Sequence, residues 1–268
     1  NVHIFGRLDT MQQETLFLID GYAVAYRQYF GLPLASFTAP DGTPTNAVFG
    51  FTRILMDILE KERPHYLAVS FDMGMSGRDA LYEAYKGTRE KMPDELQIQV
   101  DYIQALVRAF NIPILALDGY EADDIIGTVT QQALAQNVGV RIITGDRDLL
   151  QLLTDNVTVQ LPDRSESVDV VYDVARFIEK YGIQPSQLVD LKALMGDASD
   201  NIPGVKGIGE KTAQKLLADF GSLDGIYENL TLIKGAVQSK LADGREMAYL
   251  SQRLAAIRRD VPIMLTLR

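Results

Sequence analysis

The stretch Thr15-Leu16-Phe17-Leu18-Ile19-Asp20-Gly21 decides the class of fold. It is a short apolar run that ends in Asp-Gly, which is typical of a buried strand in a parallel sheet. Similar apolar runs follow later in the chain, at residues 66–72, 112–117 and 138–144. Segments of helical length and period, such as 45–62 and 93–110, separate these runs. The alternation predicts an α/β fold built on a doubly wound, mainly parallel sheet.

Carboxylates follow the ends of all four predicted strands. A single Asp after a strand is commonly the N-cap of the next helix. Four such positions together favour a shared site, because ligands of these sheets bind beyond the carboxyl ends of the strands. The residues concerned are Asp20, Asp72, Glu121, Asp123, Asp124, Asp146 and Asp148.

This concentration of acids predicts a metal site. Seven carboxylates on one edge would repel one another strongly, and Mg²⁺ and Mn²⁺ prefer oxygen ligands. Glu121 and Asp124 lie three residues apart, hence on one helix face. Asp197 and Asp200 repeat that spacing. Two ions held here would activate a water and stabilise an oxyanion leaving group. A calcium-type structural site and a solvated acidic face are the alternatives.

Residues 202–212 read Ile-Pro-Gly-Val-Lys-Gly-Ile-Gly-Glu-Lys-Thr and open an apolar helix. Three glycines in six positions allow a tight turn whose N–H groups point outward at a helix N-terminus, which favours an anion. The pattern predicts a helix-hairpin-helix that grips a nucleic acid phosphate. Glu210 stands where a P-loop needs Lys, which argues against that motif. A plain glycine turn remains an alternative. The predicted DNA contacts are Gly204, Lys206, Gly207, Gly209, Lys211 and Thr212.

Composition limits the chemistry that the 268 residues can perform. The absence of cysteine excludes disulfides and zinc–thiolate sites, and two histidines make a histidine metal site or a Ser-His-Asp triad a poor explanation. No apolar run approaches the ~18 residues of a membrane span, so we expect a cytoplasmic protein without a membrane partner. The net charge of −10 argues against nucleic acid at first. Without the nine acids assigned to metal, however, 27 acids face 26 Lys and Arg, and local basic patches are allowed.

The chain changes character near residue 173, where predicted strands give way to short helices. We predict a leader or expression remnant over 1–14 and an α/β core over 15–173. A helical subdomain over 174–268 carries the hairpin at about 196–217. The segment 73–92 is glycine-rich and charged, without a clear apolar face.

Several motifs in order resemble the 5′-nuclease domains of bacterial DNA polymerase I, within the flap endonuclease superfamily. The resemblance runs from about residue 16 to 265. Its strongest pieces are Phe17–Gly21, Phe71-Asp72, Gly119–Asp124, Thr144–Leu149 and Gly196–Gly209. It implies a PIN-like sheet, a helical arch at about 73–92 and a C-terminal helix-hairpin-helix subdomain. It also implies a metal-dependent 5′–3′ exonuclease and flap endonuclease.

The resemblance assigns the acids to two metals. Asp20, Asp72, Glu121, Asp123 and Asp124 would hold or support the first ion, and Asp146, Asp148, Asp197 and Asp200 the second. It also implies K⁺ bound by backbone carbonyls of the hairpin, with a hydroxyl that Ser199 matches. The implied substrates are DNA with a 5′ flap or a duplex 5′ end, and hydrolysis leaves a 5′-phosphate and a 3′-hydroxyl. A monomer, with a covalently linked polymerase domain as a possible partner, is the implied organisation.

In the arch, the resemblance gives Lys86 and Arg89 a catalytic role at the scissile phosphate. Arg78 and Tyr82 would steer the strand, although Gly77-Arg78-Asp79 departs from the Phe-Arg-His of many relatives. An ordinary solvated loop is the alternative for Lys86 and Arg89. The side chains of Tyr22, Tyr26 and Arg27 contact DNA or belong to the core, and both readings stay open.

Two other functions compete with a nuclease. A non-catalytic module that binds branched DNA would bind flaps without turnover. A haloacid-dehalogenase-type phosphatase would need a second Asp two residues after Asp20, where this chain has Tyr22. The nine acids favour the nuclease over both.

Overall fold

The computed structural model describes residues 2–4, 14–74, 76–88, 91–162 and 169–268. Its strands are β1 (Val2–Ile4), β2 (Thr15–Asp20), β3 (Tyr66–Ser70), β4 (Ile114–Leu115), β5 (Gly139–Ile143), β6 (Val157–Leu161), β7 (Val170–Tyr172) and β8 (Leu265–Leu267). Six of them form one sheet in the order β4-β3-β2-β5-β6-β7, and β1 pairs with β8.

The main sheet is parallel except at one edge. Strand β2 pairs in parallel with both β3 and β5, while β4 and β6 extend the sheet in parallel on either side. Strand β7 closes the β6 edge in the antiparallel direction. The predicted parallel sheet is therefore confirmed, and β6 and β7 are additions that the sequence analysis did not predict.

The helices lie between and after the strands. They are α1 (Gly21–Gly31), α2 (Asn46–Asp57), α3 (Arg78–Leu81), α4 (Asp94–Ala109), α5 (Ala122–Leu134), α6 (Val174–Tyr181), α7 (Leu188–Met195), α8 (Glu210–Phe220), α9 (Leu223–Glu228), α10 (Ala236–Asp243) and α11 (Arg245–Ala255). A π-helical turn, Ile58–Glu62, extends α2, and a 3₁₀ helix, Arg147–Leu152, follows β5. Two of these helices, α9 and α10, were not predicted.

Strand β2 is buried on both faces, which explains its continuous apolar run. Side chains alternate along a strand, so Leu16 and Leu18 face one core while Phe17 and Ile19 face the other. None of these four is more than 3% exposed. Helices α1, α2 and α4 cover the second face, and α5 covers the first.

The helical part after residue 174 shares the core of the sheet. Leu194 of α7 and Leu217 of α8 belong to the same buried cluster as Leu16 and Leu18. The hairpin that connects α7 to α8 is therefore held against the sheet by continuous apolar packing. This packing fixes the hairpin beside the carboxyl edge of the strands.

Several predicted boundaries differ from the structure. The predicted strand at 112–117 pairs only at Ile114–Leu115. In the predicted leader, Val2–Ile4 form β1 against β8 and Ile4 is buried, whereas residues 1 and 5–13 lie outside the described residues. In the described part of the predicted arch (73–74, 76–88 and 91–92), the structure has one helix, α3, of four residues. Among the helices that the structure describes, none combines the length and apolar character needed to cross a membrane.

Candidate functional site

The carboxyl ends of three central strands bring acids to one edge. Asp20 ends β2, Asp72 follows β3, and Asp146 follows β5. They open into a cleft of about 1120 Å³ that lies between the sheet edge, the arch segment and the helical part. The predicted acids that line this cleft are Asp20, Asp72, Glu121, Asp123, Asp146, Asp148 and Asp197.

Asp20 is fixed by the backbone of the helix that it caps. One carboxylate oxygen accepts a hydrogen bond from the Ala23 N–H (3.0 Å), and the other accepts from the Thr144 hydroxyl (2.8 Å). Burial raises the pKa of Asp20 to about 7, although both hydrogen bonds oppose the rise. The charged form of this carboxyl is therefore unfavourable unless a cation compensates it.

Thr144 connects Asp20 to the loop after β5. Its hydroxyl oxygen accepts from the Asp146 N–H (2.9 Å), and Asp146 in turn accepts from the Asp148 N–H (2.8 Å). Burial raises the pKa of Asp148 to about 6, and the neighbouring Asp146 charge adds to the rise. These hydrogen bonds hold three acids from two adjacent strands in one arrangement.

The start of α5 supplies the next two carboxylates. Asp72 accepts from the Ala122 N–H (2.6 Å), which fastens the β3 edge to the first turn of α5. Burial raises the pKa of Asp123 well above its usual value, with the Asp146 and Asp20 charges adding to the rise. Asp123 therefore faces the strand-end acids.

Glu121 differs from Asp123 because cations already surround it. It accepts from the Ser76 hydroxyl (2.7 Å) and forms ion pairs with Lys86 (2.9 Å) and Arg78 (3.3 Å). Burial by itself would raise the pKa of Glu121, but Lys86 and Arg78 hold it below the usual value. The predicted catalytic Lys86 thus lines the cleft with its ammonium on a predicted metal ligand.

Lys192 of α7 stands between two predicted ligands of the second metal. Its ammonium donates to both Asp148 and Asp197. Burial tends to raise the pKa of Asp197, but Lys192 and the Ser199 hydroxyl lower it overall. The sequence analysis missed Lys192, since its spacing before Asp197 matches no motif.

The predicted acids do not form a cluster of carboxylates alone, because these two lysines pair with some of them. Within the described residues, no three carboxylates are drawn together into a ready cage for one ion. Instead Lys86 and Lys192 lie among them and supply positive charge. The oxygen-rich donor set nevertheless suits divalent cations, and such ions would stabilise the charged forms of Asp20 and Asp148, whose pKa values burial raises.

Asp124, predicted to hold or support the first ion, does not line the cleft. It is 1% exposed and accepts two hydrogen bonds from Arg78, at 2.8 and 2.7 Å. The Arg258 N–H donates to it as well (2.8 Å). Its carboxylate therefore anchors Arg78 and the segment after α11, because it points into the interior rather than toward the strand-end acids.

The same pairing keeps Arg78, which was predicted to contact DNA, out of the cleft lining in this conformation. Arg78 is 7% exposed, and its guanidinium also donates to the carbonyls of Leu254 and Ala256. Tyr82 likewise packs against a small apolar cluster that contains Tyr85. These two arch side chains fasten the arch segment to the loop after α11 and to the apolar cluster in this conformation. Arg89 lies outside the described residues.

Asp200 is the second predicted ligand that does not line the cleft. It is 5% exposed, and its carbonyl accepts from the Lys86 N–H (2.9 Å). Asn201 donates to the Ala84 carbonyl (2.6 Å), so this loop and the arch segment are joined at two points. Ser199, predicted for K⁺, lines the acidic cleft and donates its hydroxyl to Asp197 (2.5 Å).

The hairpin presents only part of its predicted surface. Gly204 is buried, and its N–H donates to the Ser251 hydroxyl (2.9 Å), so it offers no donor to DNA. Lys206, Gly207, Gly209 and Lys211 are exposed. Gly209 is the N-cap of α8 and has no side chain to satisfy the first N–H groups. The Gly207 carbonyl accepts from Lys240 (3.1 Å), a cation that the motif did not indicate.

Tyr22, Tyr26 and Arg27 all line the cleft. Tyr22 also packs edge-on against the buried Phe71, at 5.4 Å between ring centroids, and Arg27 pairs with Asp169 (2.7 Å). The aromatic side chains are thus part core and part cleft wall. The core reading is therefore borne out in part for Tyr22, while contact of these three residues with DNA stays a prediction.

Two family models match this chain in succession. The 5′–3′ exonuclease N-terminal resolvase-like domain matches residues 15–182, and the 5′–3′ exonuclease C-terminal SAM fold matches residues 183–268. DNA polymerase I of Caldicellulosiruptor bescii is 48% identical over 251 residues, which is 92% of this chain and 29% of that protein. DNA polymerase I of Bacillus caldotenax is 47% identical over 257 residues, 95% of this chain and 29% of that protein. The chain thus spans less than a third of the length of these relatives.

Solved structures share the fold at lower identity. T5 5′-exonuclease with bound zinc has a TM-score of 0.73 at 23% identity, covering 90% of this chain and 89% of its own. The catalytic core of Rad2 in complex with DNA substrate has a TM-score of 0.60 at 19% identity, covering 95% of this chain and 83% of its own. Both therefore share the overall fold of this chain.

Proposed function

Since this chain belongs to the 5′–3′ exonuclease family, we propose that it hydrolyses DNA phosphodiesters at duplex 5′ ends and 5′ flaps. The products are a 5′-phosphate and a 3′-hydroxyl, as in primer removal and repair. One observation carries the proposal: acids from three parallel strand ends and the start of α5 share one cleft, with Lys86 among them. An exposed glycine hairpin lies beside that cleft at the start of α8.

The cofactor that we propose is a pair of divalent cations, Mg²⁺ or Mn²⁺. The fit rests on the oxygen donors of the cleft, and bound cations would compensate the charges of Asp20 and Asp148, which burial disfavours. Such ions, when bound, supply an activated water and stabilise the leaving oxyanion. Asp20, Asp72, Glu121 and Asp123 are assigned to one ion, with Asp124 as a support through Arg78. Asp146, Asp148 and Asp197 are assigned to the other ion. Asp200 lies outside the cleft lining, but its charge adds to the raised pKa of Asp148, so it is assigned to this second ion as well.

The cations of the chain have separate tasks. Lys86, held against Glu121, offsets the negative charge that develops on the scissile phosphate, and Arg89 is assigned the same task from the family pattern. Lys192 keeps Asp148 and Asp197 together. The exposed N–H groups near Gly207 and Gly209, with Lys206 and Lys211, seat a backbone phosphate of the duplex. Thr212 and K⁺ near Ser199 belong to the same proposed contact.

The proposed partner is DNA, bound by a monomer. T5 5′-exonuclease was solved with zinc and the Rad2 core with DNA substrate, and both share this fold. The curated relatives are DNA polymerase I chains of which this chain covers 29%, so we include a covalently linked polymerase segment among the proposed partners.

The decisive experiment uses a 5′-labelled flap DNA incubated with the protein and Mg²⁺. We expect cuts near the junction and no cuts in EDTA. Asp146→Ala combined with Asp148→Ala removes two cleft carboxylates and is expected to slow cutting by a factor of roughly a thousand or more. A matched control is Asp57→Ala combined with Glu60→Ala, an exposed acidic pair at the end of α2.

The outcomes separate the proposal from its competitor. If the protein binds the flap tightly but no divalent cation supports turnover, the chain is a branched-DNA-binding module and the nuclease proposal is wrong. If the Asp146 and Asp148 variant cuts as fast as the control, the metal assignment is wrong while the nuclease activity stands.

A further inference from the structure

Arg147 is a cation inside the acidic loop that the proposed mechanism does not use. It lies between Asp146 and Asp148 in the chain, is exposed, and lines the cleft. Within the described part of the chain, however, no carboxylate forms an ion pair with it. Its guanidinium donates instead to the Tyr181 hydroxyl (2.8 Å).

Tyr181 gives this guanidinium a rigid support. The Tyr181 ring stacks on the buried Phe177 of α6, with 4.6 Å between centroids and an interplanar angle of 28°. Gln214 of α8 donates to the Tyr181 carbonyl (3.1 Å). Arg147 is therefore tied through Tyr181 to the helix that starts at the hairpin.

The backbone of Arg147 is equally well fixed. The residues on either side belong to the hydrogen-bonded loop in which Asp146 caps the Asp148 N–H and Thr144 holds the Asp146 N–H. Arg147 thus occupies a set position between the strand-end acids and the first turn of α8. Arg147 lines the same cleft as the acids and as Glu210, the first residue of α8, so a DNA strand that is seated at the hairpin and cut at the acids would run near it.

The chemistry of the side chain indicates a phosphate. A guanidinium carries five donors in a planar fork that matches two phosphate oxygens. The hydrogen-bond partners of the guanidinium are the phenol hydroxyls of Tyr181 and Tyr172, which are neutral and leave its charge uncompensated, and the residue is exposed. An arginine held by a tyrosine rather than a carboxylate keeps its positive charge available to an anion.

We propose that Arg147, positioned by Tyr181, binds one phosphate of the DNA strand between the hairpin contact and the scissile bond. This inference rests on the proposed function, since it requires that DNA crosses the cleft. Arg147 is a substrate-binding residue, and Tyr181 is a positioning residue that acts through it.

The test measures binding of the flap DNA by fluorescence anisotropy in EDTA, where no cleavage occurs, at several KCl concentrations. Arg147→Ala is expected to weaken binding by roughly tenfold and to lower the slope of log Kobs against log[KCl] by about one unit. Arg147→Lys keeps the charge and therefore the slope, but loses part of the affinity. Tyr181→Phe keeps the stacked ring and loses the hydroxyl, so affinity falls by roughly threefold with the slope unchanged.

Arg108→Ala is the matched control. It removes an exposed arginine whose partner is also neutral, Gln104, at the end of α4 on the opposite edge of the sheet. We expect it to change neither affinity nor slope. In Mg²⁺, Arg147→Ala is expected to raise KM with kcat within about twofold of wild type, because the contact is made in the ground state and the transition state alike.

An unchanged salt slope in Arg147→Ala would overturn the proposal, as would a Tyr181→Phe effect that persists in the Arg147→Ala background. Wild-type protein that binds the flap but never cuts it would refute the nuclease function and leave the Arg147 contact standing. Wild-type cutting with no effect of Arg147→Ala would refute the contact and leave the nuclease function standing.

Discussion

Asp124 and Asp123 are neighbours in sequence with opposite expected effects on stability. Asp124→Ala removes a buried carboxylate that accepts three hydrogen bonds, two from Arg78 and one from the Arg258 N–H. It leaves a guanidinium that is 7% exposed without its main counter-charge. We expect a large loss of stability from this change.

The magnitude follows from the contacts that remain. Breaking a buried ion pair by removing one partner costs about 3–5 kcal/mol. Arg78 would keep the carbonyls of Leu254 and Ala256 and the weaker pair with Glu121 at 3.3 Å. We therefore expect the lower end, about 3 kcal/mol of the free energy of unfolding.

Asp123→Ala is the matched comparison. Burial and neighbouring acids raise the pKa of Asp123, so its removal relieves unfavourable charge in the metal-free protein. We expect a change between zero and a gain of about 1 kcal/mol. The double variant Arg78→Met with Asp124→Leu should recover most of the loss of Asp124→Ala, because neither charge is left buried alone.

The assay is urea unfolding in EDTA, followed by far-UV circular dichroism because the chain has no tryptophan. Equal losses in Asp124→Ala and Asp123→Ala would contradict the reasoning. So would a loss below about 1 kcal/mol in Asp124→Ala, since it would mean that the pair contributes no more than an exposed one.

Three further outcomes are expected. In EDTA the melting temperature should rise as the pH falls from about 8 to 6. The pKa values of Asp20 and Asp148 are about 7 and about 6 in the folded protein, so the folded state binds more protons than the unfolded state in this range. Mn²⁺ should raise the melting temperature most at the higher pH, and a melting temperature that does not change with pH would contradict this reasoning. Gly204→Ala should destabilise the fold by more than about 2 kcal/mol in urea unfolding. Gly204 has φ +62°, and a Cβ there would lie 2.2 Å from the Gly196 nitrogen. The control, Gly209→Ala, places its Cβ in open space and should be tolerated. Lys192→Met should lower the free energy of unfolding in EDTA by about 1–3 kcal/mol, because Asp148 and Asp197 lose the ammonium that they share. A free energy of unfolding equal to that of wild type would show that Lys192 does not stabilise this pair of carboxylates.

The sequence predicted the sheet because burial on both faces leaves a clear signal. The residues of β2 are apolar on both sides of the strand, and only a parallel sheet covered by helices requires this. Strands β6 and β7 were missed, although Val157–Leu161 alternates between buried and half-buried positions. Strand β7 has three residues, which is too short for a periodic pattern to emerge.

The roles of individual acids were harder to predict. Asp123 and Asp124 follow Glu121 directly, and nothing in the local pattern separates a carboxylate that faces the cleft from one that faces Arg78. The hairpin glycines are equally alike in sequence. Gly204 is buried against Gly196, whereas Gly209 is exposed at the start of α8.

The sequence by itself determined that acids follow the central strands, and hence that they meet at one edge, because parallel strands in register bring their carboxyl ends together. Only the tertiary structure decided which acid forms an ion pair with which lysine or arginine. Arg78 and Asp124 are 46 positions apart, and Lys192 and Asp148 are 44 apart. Contacts at such separations depend on how helices pack against the sheet, and no period of a strand or helix encodes them.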